Sequence, residues 1–209
     1  MPADSASPTY DAIILAGGAG RRLGGADKAL VVVGGDRLLD RALAAVAAAG
    51  RVIVVGPPRP IGADVLFTRE DPPGAGPAAA VAHAVRLATA DVVVVLAVDV
   101  PFAATAVPRL LAGLPGHDAA MVVDPTGTRQ PLLAAYRTRV LKSRADEEPW
   151  ANRALRALVA PFAIADVPAV ADEALDCDTA DDVARARAAV RGSAGGSQLG
   201  RGCSGADPS

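Results

Sequence analysis

The chain has 209 residues, 51% hydrophobic and 21% charged, with a formal net charge of −2. That length, with a mean hydropathy of +0.30, predicts one folded domain with a sizeable core and argues against a disordered chain. The weak negative charge argues against non-specific nucleic-acid binding, which needs a basic face, and no apolar run reaches the length of a membrane span.

Aromatic residues are only 3% of the chain. The core is therefore expected to be layers of Ala, Val and Leu, which suits parallel strands covered by Ala-rich helices. Cys177 and Cys203 are the only cysteines, too few for a disulfide framework. The first residues show no basic stretch followed by an apolar one, so the expected location is the cytoplasm.

In chain order, residues 1–8 are polar, with Ser and Pro, and predict an unstructured arm. Residues 9–191 carry the alternation of a folded domain. Strands are predicted over Ala12–Ala16, Arg51–Val55, Asp64–Thr68, Asp91–Ala97, Ala119–Val123, Leu132–Tyr136 and Phe162–Val167, with a short extended piece at Ala174–Asp178. Helical spacing covers Leu38–Ala49, the stretch from Pro77 to about Ala90, Ala104–Leu114, Thr138–Ala145, Pro149–Leu158, and a last helix from Thr179 to about Val190. Residues 192–209 are rich in Gly and Ser and predict a disordered tail. Strands alternating with helices through the first half imply right-handed βαβ units: a single-domain, Rossmann-like, three-layer αβα sandwich with a mostly parallel central sheet.

The first predicted strand runs into Gly17-Gly18-Ala19-Gly20-Arg21-Arg22-Leu23-Gly24-Gly25-Ala26-Asp27-Lys28. Glycines let backbone N–H groups approach an anion closely. Arg21, Arg22 and Lys28 add positive charge where phosphate oxygens would lie. Two familiar phosphate loops are excluded. No glycine precedes a lysine and Ala29 follows Lys28, so this is not a P-loop. Leu23 stands where the dinucleotide fingerprint needs its third glycine. Only Lys28 and Lys142 are lysines in an arginine-rich chain, which suggests that Lys28 stands where a compact ammonium is needed.

Open α/β sheets bind ligands at the carboxyl ends of their strands. Asp99 follows the most apolar strand, ahead of Pro101, and would face the same crevice as the glycine loop. A carboxylate beside a triphosphate is what Mg2+ wants, with phosphate and water supplying its remaining oxygens. Asp178, in Asp176-Cys177-Asp178-Thr179, reads either as a second metal carboxylate or as a helix cap. His83 and His117 have no partners at metal-ligand spacing, and Trp150 reads as a packing residue.

Leu15-Ala16-Gly17-Gly18 followed by Arg21-Arg22-Leu23-Gly24-Gly25-Ala26-Asp27-Lys28 resembles the signature of the small nucleotidyltransferases, and most of all that of the molybdenum cofactor guanylyltransferases, the MobA-type enzymes. The resemblance covers about residues 12–190 and implies a fold of the nucleotide-diphospho-sugar-transferase type. It implies nucleotide contacts at Leu15, Ala16, Gly17, Gly18, Gly20, Arg21, Arg22, Lys28, Val55, Glu70, Asp71, Gly76, Pro77 and Asp99. Glu70 and Asp71 remain alternatives for one acidic position. The family's D-x-P motif assigns a Mg2+ carboxylate to Asp99, and its late Asp-x-Asp-Thr variant points to Asp178 as a second. Arg22, Lys28 and Asp99 are the implied catalytic residues. The implied substrates are GTP and the molybdenum cofactor, with transient contact to other cofactor-biosynthesis or acceptor enzymes.

The chain departs from the family at Val55, where an asparagine is usual, and at Ala80, where a second glycine is usual. Gln130-Pro131 replaces a frequent His-Pro on the acceptor side. These departures keep open CTP or another NTP with a different phosphorylated acceptor. A non-catalytic nucleotide- or cofactor-binding protein is the rival of another class.

Overall fold

The computed structural model describes residues 10–17 and 25–195, with side chains to residue 192. Its strands are β1 (Tyr10–Leu15), β2 (Val32–Val33), β3 (Asp36–Arg37), β4 (Arg51–Val55), β5 (Leu66–Thr68), β6 (Val92–Ala97), β7 (Ala119–Val123), β8 (Arg129–Arg137) and β9 (Ile164–Pro168). Seven of them form one sheet in the order β5-β4-β1-β6-β8-β7-β9. β1 pairs in parallel with both β4 and β6. β8 runs antiparallel to β6 and β7, the single reversal in an otherwise parallel sheet.

Helices cover both faces: α1 (Leu38–Ala45), α2 (Pro77–Val85), α3 (Ala106–Gly113), α4 (Thr138–Asp146), α5 (Leu155–Val159) and α6 (Ala180–Gly195). Side chains alternate across each strand, so Ala12, Ile14, Val94 and Leu96 join one core with Leu38, Leu39, Leu110 and Ala186. Ile13, Val93 and Val95 join a second core with Val81, Val85, Leu141 and Leu158. The result is the expected three-layer αβα sandwich.

β2 and β3 form a separate hairpin. Its two-residue turn is Gly34-Gly35, at φ +65° and +97°, the positive values that a tight hairpin demands. α6 packs here, with Arg187 Nε donating to the Val32 carbonyl at 3.0 Å.

Among the stretches that differ from expectation, three bear on the packing. The helix expected over Pro149–Leu158 is confined to α5. Ahead of it, Trp150 is buried between the guanidinium groups of Arg144 and Arg153, whose central carbons lie 4.7 and 5.0 Å from the ring centroid. Asn152, at φ +59°, then breaks the helical path. Ala174–Asp178 joins no sheet, because Cys177 N–H is spent on the Asp99 carbonyl. The last helix runs past Val190 to Gly195. Residues 1–9 and 196–209 lie outside the described residues. Among those described, no helix is long and apolar enough to cross a membrane.

Candidate active site

In the parallel register Leu15 lies level with both Val55 and Ala97. Ala16-Gly17, Gly56-Pro57 and Val98-Asp99 therefore leave the sheet together along its carboxyl edge, where α/β sheets bind ligands. Backbone bonds lock this edge. Ala16 N–H donates to the Val55 carbonyl (2.8 Å), Gly56 N–H to Thr68 (2.9 Å) and Val98 N–H to Leu15 (3.0 Å). Because β8 is reversed, its first residues, including Gln130 and Pro131, lie along the same edge. Gln130 donates to Asp124 Oδ2 at 2.8 Å.

Lys28 opens a 3₁₀ turn, Lys28–Leu30, capped by the Asp27 carboxylate, which accepts from Ala29 N–H at 3.1 Å. The buried Ala29 anchors the turn. The Lys28 ammonium then reaches across the crevice. It donates to Asp99 Oδ2 at 2.8 Å and to Asp178 Oδ1. Burial by itself would lower the Lys28 pKa, but the hydrogen bonds to Asp178 and Asp99 outweigh it and hold the ammonium above the ordinary lysine value. Asp176 is driven the other way, its carboxyl raised by burial and then by the negative charges of Asp178, Asp99 and Asp182. The Cys177 thiol is buried in the core and pushed up to about 11, first by burial and then by the nearby carboxylates. It packs and does not act as a nucleophile.

At the start of α6 the capping bonds come from the neighbours of Asp178. Thr179 and Asp182 cap α6 reciprocally: Thr179 N–H donates to Asp182 Oδ2 at 2.8 Å, and Asp182 N–H to Thr179 Oγ1 at 3.2 Å. Asp178 turns to Lys28.

The remaining candidate residues divide by how their groups are used. Leu15 and Ala16 spend backbone groups on the edge lock, and Ala16 is buried. Val55 is buried in the second core and its carbonyl holds Ala16 N–H, so its side chain is not open to a ligand. These three residues shape the crevice. Gly17 is the first exposed residue on the path. The buried Glu70 accepts from Gly74 N–H at 2.8 Å and so folds its own loop, whereas Asp71 is exposed. Gly76 caps α2 and Pro77 starts it. Gly18, Gly20, Arg21 and Arg22 lie outside the described residues.

Two residues that the sequence did not single out are structurally prominent. Gly56 passes so close to Ala16 that a Cβ there would stand 2.8 Å from the Ala16 carbonyl oxygen. Arg59, its side chain only 7% exposed, pairs with Asp27 and also reaches the Ala16 carbonyl. The available signal was a single arginine between prolines just after a strand whose carboxyl end faces the glycine loop.

Asp99 and Asp178 offer hard oxygens converging on one cation, the donor chemistry of Mg2+. Among the described residues, no group of three or more His, Cys, Asp or Glu side chains could hold a metal ion. The residues therefore fit an ion whose coordination is completed by phosphate and water, and do not form an all-protein cage.

A mostly parallel αβα sheet with a cation–carboxylate crevice at its carboxyl edge has the architecture of the open α/β folds that bind nucleotides there. The chain belongs to the MobA-like NTP transferase family, whose domain model matches residues 12–163. It is 40% identical over 109 residues to a molybdenum cofactor guanylyltransferase of Acidiphilium cryptum, covering 48% of this chain and 56% of that one. Identity to the Shewanella loihica enzyme of that name is 34% over 131 residues, covering 59% and 66%. Identity to the Pseudomonas entomophila enzyme of that name is 33% over 153 residues, covering 70% and 79%. The fold also matches two solved structures. One is molybdopterin-guanine dinucleotide biosynthesis protein A of Archaeoglobus fulgidus (TM-score 0.69, 21% identity, covering 87% of this chain and 99% of that one). The other is 2-C-methyl-D-erythritol 4-phosphate cytidylyltransferase of Thermus thermophilus (TM-score 0.69, 24% identity, covering 88% and 99%).

Proposed function

We propose that this chain is a Mg2+-dependent nucleotidyltransferase that moves GMP from GTP to the terminal phosphate of molybdenum-bearing molybdopterin, releasing pyrophosphate. The observation that carries this reading is the meeting of Lys28, Asp99 and Asp178 at the carboxyl edge of the sheet, in a chain whose relatives are named molybdenum cofactor guanylyltransferases. An acceptor phosphate oxygen forms a bond to the α-phosphorus while the bond from that phosphorus to the β-bridging oxygen breaks. The acceptor phosphate is ionised at neutral pH, so no general base is needed. Catalysis is positioning plus charge stabilisation.

Asp99 and Asp178 would hold Mg2+, which supplies charge neutralisation at the phosphates. Lys28, and Arg22 from the glycine loop, would offset the charge on the α-phosphate and the departing pyrophosphate. Gly17 and Asp71 are open to the nucleotide. GTP and the molybdenum cofactor are the proposed substrates, and the cytoplasm the proposed location.

A second reading, the same chemistry with CTP or another NTP, is favoured by one observation. Val55, at the position of the family's usual asparagine, is buried. The test is pyrophosphate release from GTP, CTP, ATP and UTP with molybdenum-loaded molybdopterin as acceptor. GTP is expected to support turnover best; failure with GTP and success with CTP would sink the first choice. Asp99→Asn is expected to abolish turnover while leaving nucleotide binding measurable, and normal turnover would refute the metal assignment.

A further inference from the structure

Arg59 makes four hydrogen bonds. Nε and Nη2 donate to the two Asp27 carboxylate oxygens at 2.8 Å each, Nη2 also donates to the Ala16 carbonyl at 2.9 Å, and Nη1 donates to the Pro57 carbonyl at 3.1 Å. A guanidinium so buried and so committed has little left to offer a phosphate. Its bidentate fork instead fixes direction as well as distance. What it fixes is the Asp27 carboxylate, which caps the turn that carries Lys28. Contacts run from the end of β1 through Arg59 to Asp27, which caps the turn that begins at Lys28, whose ammonium lies between Asp99 and Asp178.

We infer that Arg59 is a positioning residue: it sets where the Lys28 ammonium stands relative to the two carboxylates. The bland alternative is a structural ion pair. What distinguishes this pair is its place: it ties the strand that opens the crevice to the turn that supplies its cation. Lysine cannot replace it, because a point-like ammonium cannot serve both Asp27 oxygens and the Ala16 carbonyl in the same fork. The kinetic consequence rests on the nucleotidyl-transfer reading above; the placement of Lys28 does not.

The chain's two lysines make the test direct. With lysine 15N-labelled protein, free of nucleotide and metal, Lys28 reports on the site. Lys142, which donates to the Ala88 carbonyl at 2.7 Å, is the internal reference. In Arg59→Met and Arg59→Lys the Lys28 ammonium signal is expected to move toward that of a solvated lysine while Lys142 stays in place. An unmoved Lys28 signal in both variants overturns the proposal, and Arg59→Lys carries this arm if Arg59→Met does not fold. In the pyrophosphate assay kcat/KM for GTP is expected to fall about 100-fold, the cost of a small misplacement. Low, non-denaturing guanidinium chloride should partly restore kcat/KM of Arg59→Ala and, in the same samples, return the Lys28 signal toward its wild-type position; restored stability without movement of the Lys28 signal would overturn the proposal. Unchanged kcat/KM with only a lower melting temperature also overturns the proposal. A wild-type chain that turns over no nucleotide, with the Lys28 signal still displaced in the variants, sinks the proposed reaction and upholds the positioning role.

Discussion

Asp27 does two things at once: it caps the Lys28 turn and neutralises a buried guanidinium. The hydrogen bond from Arg59 is the main reason its carboxyl is held below the ordinary aspartate value, with partial burial opposing it. A carboxyl whose folded pKa is depressed stabilises the fold fully above its unfolded value, about 3.9. That contribution drains away as pH falls through the lower folded value. Asp27→Asn keeps the shape but loses the charge, so it is expected to cost at most about 1 kcal/mol at neutral pH, because the carboxylate is about a third exposed and solvent screens the pair. The gap to wild type should close as pH drops below about 4. Urea midpoints for the two proteins across pH 7 to about 2.5 check this; a gap that stays constant into acid would mean that the Arg59 pairing is not what stabilises Asp27.

The loop after β4 works as an element because it passes the end of β1 at the closest approach that backbone allows. Any Cβ at Gly56 would press on Ala16 carbonyl atoms at 2.8 and 2.9 Å, and these atoms are fixed in the sheet edge. A Cβ at Gly17 would meet ordinary contacts of 3.4 Å and more. Gly56→Ala should therefore destabilise by about 1–3 kcal/mol and Gly17→Ala by well under that. Equal losses in urea denaturation would refute the close-approach argument.

The same contrast shows what sequence could and could not reveal. β4 and β7 occupy their expected residues, because a short apolar run between turn residues has one sensible reading. Asp99 was legible from its place after the most apolar strand. Arg59 was not, since its meaning lies in a contact with Asp27 across 32 positions. The choice between cap and site for Asp178 was undecidable locally. Thr179 and Asp182 cap each other, and only the fold brings Asp178 across 150 positions to Lys28. The loss of helix around Trp150 was equally hidden, because two arginines stacking on one indole leave no mark on hydrophobic spacing.

At the scale of the whole molecule, the site has no local home. Lys28 comes from the turn after the glycine loop, Arg59 from the loop after β4, Asp99 from the end of β6 and Asp178 from the approach to α6. The seven-stranded sheet is what brings them together, so ligand binding is linked to global folding. The two carboxylates cannot complete a Mg2+ shell, and in the ligand-free molecule the Lys28 ammonium takes up their charge. Metal and triphosphate should therefore stabilise the fold together far more than either does alone. A ligand at about 100 times its Kd adds about 2.7 kcal/mol, and at this chain length each kcal/mol moves Tm by about 2–4 °C. Mg2+ with GTP is thus expected to raise Tm by about 5–10 °C, and Mg2+ alone or GTP with EDTA by less than half as much. Asp99→Asn should lose the metal-dependent part and keep the rest. A full shift with Mg2+ alone would mean a metal cage built by the protein. A full shift with GTP in EDTA would remove the metal from the site and leave Lys28 and the glycine loop to bind the triphosphate unaided.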